Sequence, residues 1–348
     1  MPPLSRRALL ATMAAGAAGT SAGCSGWIDD SSTNANAPPE LANRTVFAAE
    51  EVTLPRAESL DRTADPSNAD VAVYPADASV SSITDSLQAE TATAVVGADA
   101  QAALMEACAA DGRSYGFARN SWGPETSVVA APPSGDRIDT HLFVGVDIPD
   151  DLLWALDDAL VTTGPECTLR QNSSEHSERF TEDTQPVSIS RIRGVNDVGG
   201  FDRWDRVRAT RHADGAGYVV DITGTIFAGP AARHDSNYRS DQIRLVTHTD
   251  GQVESATLGV GGVSVDALQT DDRSKRSDGV VEQAVTPESD AARQSFTACQ
   301  RAVITTDTVE KQFSYTANGR FRWRKSGLFD DDLWHHHTPG QAVWYPRW

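Results

Sequence analysis

The apolar pattern of this chain changes at residues 165–186, a segment in which apolar residues show almost no periodicity. Before that segment, short apolar runs typical of strands alternate with stretches in which apolar residues recur every three or four positions, as in helices. After it, strand patterns dominate. We therefore predict a small α/β domain over residues 46–164, a linker over 165–186 and a β-rich domain over 187–348.

The pattern of the first domain predicts strands joined by helices. Helices are expected to begin near Val80, Asp99 and Asp150, because apolar side chains follow each of these positions at helical spacing. Strands joined by helical crossovers imply a largely parallel sheet. Five strands are predicted, at residues 70–74, 91–96, 114–118, 127–131 and 141–146.

The pattern of the second domain predicts a sandwich of strands with one helix. The helix is expected to begin at Thr286-Pro287-Glu288 and to continue, through apolar residues at helical spacing, as far as Val303. Further along, two alternating runs flank Asn318-Gly319, a pair that is typical of a two-residue hairpin turn. Other strands are predicted at residues 188–192, 207–212, 218–227, 243–247, 253–258 and 303–306.

Residues 1–23 have the organisation of an export signal. Arg6 and Arg7 precede an uncharged stretch that is too short and too weakly apolar for a membrane-spanning helix. The paired arginines are similar to a twin-arginine motif, which directs the export of folded proteins. Cys24 follows three small residues as in a lipobox, and residues 24–45 have a composition typical of a flexible tether.

The chain is strongly acidic, with 30 lysine and arginine residues against 49 aspartate and glutamate residues and a net charge of −19. Removal of residues 1–23, which carry two arginines and no acid, changes the net charge to −21. Binding to nucleic acid depends on basic neutralisation of phosphates, so no nucleic-acid partner is expected. Molar salt would screen the self-repulsion of so many acids.

Strong acidity, only three lysines and twin-arginine export together resemble the exported surface lipoproteins of haloarchaea. The resemblance covers the signal, the tether and the overall composition, and it names no functional family for residues 40–348. It implies a location at the outer face of the cell membrane, with the membrane as a partner through a lipid on Cys24. Secretion without an anchor is the alternative.

Three cysteines remain beyond the lipidation position, namely Cys108, Cys167 and Cys299. An odd number allows at most one disulfide bond within the chain. No two cysteines have CxxC spacing, which argues against a zinc or redox centre built on thiolates. The common nucleotide-binding and hydrolase motifs are also missing from the sequence, and we expect no cofactor.

One candidate ligand-binding site lies at the carboxyl ends of the predicted parallel strands, where ligands settle in open sheets. Carboxylates there could bind hydroxyl or amine groups, a guanidinium could bind an anion, and an indole could stack on a ring. The alternative is that the two aspartates cap helix N-termini. The residues of this predicted rim are Asp77, Asp99, Arg119, Asn120 and Trp122.

A second candidate is a row of arginines, Arg320, Arg322 and Arg324, on one face of the predicted hairpin. Alternation places Phe321 and Trp323 on the opposite face. Such a row is a local exception in so acidic a chain, and its planar guanidinium groups are suited to lipid phosphates, acidic glycans or an acidic protein surface. The alternative is cross-strand pairing with acids of the chain itself.

A third candidate is a metal site in the C-terminal segment FDDDLWHHHTPGQAVWYPRW. Its ligands would be Asp331, Asp332, His335 and His337, because carboxylate oxygens and imidazole nitrogens are common metal ligands. Adjacent residues of a strand point to opposite faces, however, which limits how many can share one ion. The alternative is that the segment docks on the second domain through its aromatic residues.

These observations predict an exported, lipid-anchored surface protein that binds a small molecule or a component of the cell envelope. No catalytic residue is evident in the sequence. One alternative is a secreted hydrolase with its site at the predicted rim or between the domains. Another is a purely structural component of the envelope.

Overall fold

The computed structural model describes most of the chain beyond the predicted tether. Arg6 and Arg7 of the predicted signal and the lipidation position Cys24 lie outside the described residues. The described residues are 40–55, 60–118, 126–145, 149, 151–161, 164–165, 167–169, 185–195, 198–212, 215–228, 238–262, 265–306, 313–325 and 332–344.

Strands dominate the described residues, which contain three α-helices. The helices are α1 Val80–Gln88, α2 Ala100–Asp111 and α3 Leu152–Ala159. The strands are β1 Thr45–Ala48, β2 Asp61–Thr63, β3 Val71–Pro75, β4 Ala92–Val96, β5 Ser114–Ala118, β6 Thr126–Ala131, β7 Pro133–Ser134, β8 Arg137–Ile138, β9 Thr140–Val144, β10 Thr168–Leu169, β11 Gln185–Val195, β12 Gly199–His212, β13 Gly215–Ala228, β14 Tyr238–Thr249, β15 Gln252–Gly261, β16 Leu268–Asp272, β17 Val280–Pro287, β18 Phe296–Thr306, β19 Phe313–Lys325 and β20 Asp332–Trp344.

The strands form two sheets. The larger sheet has twelve strands in the order β10-β15-β18-β13-β12-β11-β9-β6-β4-β3-β1-β2, and the smaller has eight in the order β16-β17-β14-β19-β20-β5-β8-β7. In the larger sheet β3 runs parallel to β1 and β4, whereas β6 runs antiparallel to both β4 and β9. The twelve-stranded sheet is therefore mixed, and it contains strands from both predicted domains.

The predicted fold class, an α/β domain with a mostly parallel sheet followed by a β-rich sandwich, is wrong because the protein is mostly β. The five strands and three helices predicted before residue 164 lie close to β3, β4, β5, β6, β9 and the three helices, whereas β1, β2, β7 and β8 were not predicted. β6, however, is antiparallel to its neighbours, and β5 belongs to the eight-stranded sheet, where it pairs with β20. Apolar periodicity locates a strand in the sequence but encodes neither its direction nor the sheet that it joins.

The helix predicted from Thr286 to Val303 is also wrong. Its first part contains a single 3-10 turn at Ala291–Arg293, and its second part is β18. β18 lies between β13 and β15, and most of its residues on both faces are buried. A strand that is buried on both faces has a nearly continuous apolar run, so its apolar positions can match helical spacing by coincidence.

The hairpin turn predicted at Asn318-Gly319 does not form. Both residues lie in the middle of β19, where Gly319 pairs with Leu245 of β14 and with Thr338 of β20. A Cβ atom on Gly319 would lie 2.7 Å from Oγ1 of Thr338 and 3.0 Å from Cδ of Arg203. The glycine therefore allows close packing between the sheets instead of a turn.

Two apolar cores hold these elements together. The larger lies between the sheets and beneath α1 and α2, and it includes Phe201 and Phe321, whose rings stack with centroids 5.0 Å apart. The smaller lies on the other face of the twelve-stranded sheet, beneath α3. A disulfide bond between Cys167 and Cys299 joins the segment after α3 to β18, and Cys108 is free and buried.

Candidate functional site

The arginine row predicted from the sequence lies on the outer face of the eight-stranded sheet. Along β19, aromatic side chains point into the core, and the arginines that alternate with them point outward. The neighbouring strand β14 adds two arginines directly beside them. We call the resulting set the arginine strip, which consists of Arg239, Arg244, Arg320, Arg322 and Arg324.

Two pairs of arginines in the strip face each other across the strands. Arg244 lies opposite Arg320, and Arg239 lies opposite Arg324. Residues in these positions have Cβ atoms about 4.5–5.5 Å apart, and like charges there destabilise the sheet. The fold thus concentrates positive charge on one surface although acids outnumber bases in the whole chain.

Two acids neutralise part of the strip. Asp241 lies at the bulge of β14, where it accepts a hydrogen bond from Nε of Arg322 and lies 2.8 Å from Nε of Arg324. Glu282 of β17 accepts two hydrogen bonds of 2.8 Å from the guanidinium of Arg244. The alternative considered for the row, pairing with acids of the same chain, therefore holds for Arg322 and Arg324, and the added Arg244 is paired as well.

The other two arginines of the strip, Arg239 and Arg320, form no ion pair with any residue that the structure describes. The five guanidinium groups of the strip and the two carboxylates that pair with them leave an excess of three positive charges. Because ions on an exposed sheet face can be reached from solvent, Arg239 and Arg320 are available to an external anion.

The last strand extends this surface on the far side of β19. His335 is exposed and lies opposite Arg322, and His337 lies opposite Arg320 in the strand register. The last strand therefore adds the exposed His335 to the surface beside the arginine strip.

Of the predicted metal ligands, the structure describes the side chains of Asp332 and His335, and these two do not converge. Asp332 accepts a hydrogen bond from the hydroxyl of Tyr238, which raises the pKa of Tyr238. Asp332 and His335 are three positions apart on one strand and so lie on opposite faces. Asp331 and the side chain of His337 lie outside the described residues. No group of three metal-ligating side chains occurs in the described part of the chain.

The structure divides the predicted rim between the two sheets. Asp77 follows β3 and Asp99 follows β4, so these exposed aspartates lie at the same edge of the twelve-stranded sheet. The other predicted residues, Arg119, Asn120 and Trp122, lie outside the described residues. The strand before them, β5, is part of the eight-stranded sheet.

Neither aspartate of the predicted rim caps a helix through its carboxylate. The N-cap of α1 is Ser79, whose hydroxyl oxygen accepts a 3.1 Å hydrogen bond from the N–H of Ser82. Asp99 occupies the N-cap position of α2, but it has a left-handed φ of 63° and its side chain makes no capping hydrogen bond. The two aspartates therefore have no capping role in this fold.

The strand pattern of residues 238–249 does not identify Arg239, Arg244 or Asp241 as part of a basic surface. Their place in the strip depends on pairing between distant segments, since Asp241 and Arg322 are 81 residues apart. The one available signal is that one arginine precedes the predicted strand 243–247 and another lies within it, in an otherwise acidic chain.

Comparison with known proteins leaves the chain without a family. No family model and no curated protein matches it. Among solved structures it is similar to a pore forming protein (5% identity, 51% of this chain and 94% of that one, TM-score 0.27) and to the delta-toxin of Clostridium perfringens (6% identity, 48% and 88%, TM-score 0.30). It is also similar to the major pilin subunit of Bacillus cereus (10% identity, 53% and 49%, TM-score 0.27). TM-scores this low support no inference about function.

None of the helices within the described residues has both the length and the apolar character that crossing a membrane requires.

Proposed function

We propose that this chain is an exported protein, held at the outer face of the cell membrane by a lipid on Cys24, that binds an acidic polysaccharide of the cell envelope through the arginine strip. The proposal for export and anchoring rests on Arg6, Arg7, Cys24 and the composition of the tether. The observation that supports binding is that two arginines of β14 lie directly opposite two arginines of β19 in the strand register.

Like charges placed opposite each other in a sheet lower stability, so their presence favours a role in binding. The positive charge of the strip contrasts with the rest of the molecule, because the net charge of the chain is −19. Arg320 and Arg239 contribute no ion pair to the described fold. Their planar guanidinium groups match the oxygens of a carboxylate or sulfate.

The shape of the strip favours an extended polymer over a bilayer or a protein partner. Side chains on one face of a strand are spaced about 6.6–6.8 Å apart, so Arg320 and Arg324 are separated by about 13 Å along β19. The only large apolar side chain that is exposed among the described residues is Leu333, with 42% of its surface accessible. Membrane insertion and protein hot spots both need more apolar area than this.

Titration calorimetry with polygalacturonate, a linear polymer of carboxylated sugars, tests the binding function. The purified chain in molar KCl should bind polygalacturonate and should not bind neutral dextran. Replacing both unpaired arginines, Arg239→Ala with Arg320→Ala, should weaken binding by about tenfold or more, since it removes two charge-assisted contacts. Neither substitution breaks an ion pair of the described fold.

Arg273→Ala is the matched control, because Arg273 is an exposed arginine that pairs with Asp271 outside the strip. It should leave the affinity for polygalacturonate unchanged. Equal binding by the double variant and the wild type would contradict the proposal. Binding to anionic phospholipid vesicles without binding to polygalacturonate would assign the strip to a lipid surface instead.

The anchoring part of the proposal has a separate test in an export-competent host. Replacing Arg6 and Arg7 by lysine should retain the chain inside the cell, because the export receptor recognises the paired arginines. Cys24→Ala should leave export intact and release the chain from the membrane fraction into the medium. Unchanged membrane association of the Cys24→Ala variant would contradict a lipid anchor.

A further inference from the structure

A cavity of about 260 Å³ opens on the outer face of the larger, twelve-stranded sheet. The arginine strip lies on the other sheet. Its floor is formed by β11, β12, β13 and β18, and its wall by the segment around Gly164 and Cys167. The disulfide bond from Cys167 to Cys299 holds this wall against the floor. A concave site therefore forms on a sheet face that would otherwise be flat.

Trp204 of β12 forms an apolar side of the cavity. Trp204 is 6% exposed, and the guanidinium of Arg191 lies over its ring, 4.5 Å from the ring centroid. A Cβ atom on Gly164 would approach the indole to 3.2 Å, so glycine lets the backbone of the wall lie against the ring. Nε1 of Trp204 is buried and has no hydrogen-bond partner among the described residues.

The charged groups of the cavity are dominated by arginine. Asp221 of β13 accepts a 2.6 Å hydrogen bond from Nε of Arg301 and a 3.0 Å hydrogen bond from Arg208. One carboxylate is thus shared by two guanidinium groups. Arg206 lies directly opposite Asp221 in the strand register, on the same face of the sheet, but forms no ion pair with it.

Arg206 is exposed and forms no ion pair with a residue that the structure describes. The acid that it influences electrostatically, Asp139, is already engaged by Arg137 through hydrogen bonds of 2.7 and 3.2 Å. Among the described residues that line the cavity, Arg206 and Arg301 against the carboxylate of Asp221 leave an excess of one positive charge. An anion is the ligand that this excess would bind.

We propose that this cavity is a binding site for a small organic anion, a compact molecule with a carboxylate or phosphate group and an apolar portion. Arg206 and Arg301 would bind the anionic group, and Trp204 and the disulfide bond would contact the apolar portion. Ligand pockets of this kind are mostly apolar with a few polar groups that fix orientation. The site is independent of the arginine strip, because the two lie on different sheets.

Titration calorimetry of the full chain with benzoate, phenyl phosphate and inorganic phosphate, in molar KCl, tests this site. Benzamide, the neutral counterpart of benzoate, is the matched control for charge. Benzoate or phenyl phosphate should bind at millimolar concentration or below, and benzamide should bind about tenfold more weakly or not at all. Whichever of benzoate and phenyl phosphate binds more tightly indicates whether the site prefers a carboxylate or a phosphate group.

Two variants with opposite expected effects complete the experiment. Arg206→Gln should weaken binding of the aromatic anion by about tenfold, because it removes the unpaired guanidinium. Asp221→Asn should tighten binding, because it removes the competing carboxylate. Arg273→Ala, which lies outside both the cavity and the arginine strip, should have no effect.

Three results would overturn the proposal. One is the absence of binding by every anion at millimolar concentration. Another is equal binding of benzoate and benzamide. The third is an affinity that Arg206→Gln leaves unchanged, since Arg206 lies at the surface and its replacement breaks no ion pair of the described fold. Binding of inorganic phosphate alone would also overturn it, since the apolar portion would then have no role.

Discussion

At the scale of single residues, Arg203 and Asp205 form a buried ion pair that lies between the two sheets. Both side chains are almost completely buried. Arg203 also donates hydrogen bonds to the carbonyl oxygen of Thr338 and, at 3.1 Å, to its Oγ1. A buried guanidinium of this kind depends on its partner carboxylate, because water cannot replace that carboxylate.

Asp205→Ala should therefore lower the free energy of unfolding by about 3–5 kcal/mol, the usual cost of leaving a buried charge unpaired. Urea denaturation in molar KCl measures this loss. Asp271→Ala, which removes one partner of an exposed pair with Arg273, is the control and should leave the free energy of unfolding unchanged. Equal effects of the two substitutions would show that Arg203 is not buried as described.

Asp157 of α3 predicts a dependence of stability on pH. Its carboxylate accepts hydrogen bonds of 2.7 and 2.9 Å from the backbone N–H groups of Glu40 and Leu41. Burial raises the pKa of Asp157 from 3.8 to about 6, and the two hydrogen bonds oppose this rise only in part. Between these pH values the folded state binds a proton that the unfolded state does not, so the contribution of Asp157 to stability decreases as the pH rises from 3.8 to about 6.

Asp157→Asn should remove this contribution while keeping an oxygen that can accept a hydrogen bond from Leu41. The difference in free energy of unfolding between the wild type and the variant should therefore change between pH 4 and pH 6 and stay constant above pH 7. Urea denaturation at several pH values measures it. Parallel pH profiles of the two proteins would contradict the assignment.

At the scale of elements, β19 shows that an Asn-Gly pair can lie inside a strand as well as in a turn. Asn-Gly is a strong hairpin signal in a local sequence. Here Gly319 lies inside a strand with partners on both sides, at a point where the side chains of Arg203 and Thr338 leave no room for a Cβ atom. The local preference for a turn is outweighed by pairing with β14 and β20.

Gly319→Val should destabilise the protein by about 1–3 kcal/mol, since the added side chain would overlap Thr338 and Arg203. Thr316→Val is the matched control on the same strand, because Thr316 is exposed and its replacement should change stability by less than about 0.5 kcal/mol. Thermal unfolding measures both. A tolerated valine at position 319 would contradict the close packing of Gly319 against Thr338 and Arg203.

At the scale of the whole molecule, the net charge of −19 predicts that salt stabilises the fold. The Debye length falls from about 10 Å in 0.1 M salt to about 3 Å in 1 M salt, which screens repulsion among the acids. The midpoint of thermal unfolding should therefore rise with KCl concentration over this range. Sucrose at matched osmolarity is the control for solvent exclusion, and a midpoint that KCl does not raise above the sucrose value would contradict the prediction.

The positions of most elements could be predicted from local sequence, and the sheets that they form could not. The apolar runs at 70–74 and 91–96 correspond to β3 and β4, and the helical spacing after Val80 corresponds to α1. The direction of β6 and the assignment of β5 to the smaller sheet depend on contacts between distant segments. The same distinction applies to the arginine strip, of which the β19 half could be recognised and the β14 half could not.

The sequence by itself determined the charge of the molecule, the location of most strands and the alternation of aromatic and basic residues along β19. These are local or additive properties, so each follows from a residue and its near neighbours. Only the tertiary structure decided the pairing of Arg239 and Arg244 with that row and the bond between Cys167 and Cys299. It also decided the pairing of two arginines with Asp221. The physical reason is that strand pairing and burial bring together residues far apart in the chain, and no local pattern specifies which segments meet.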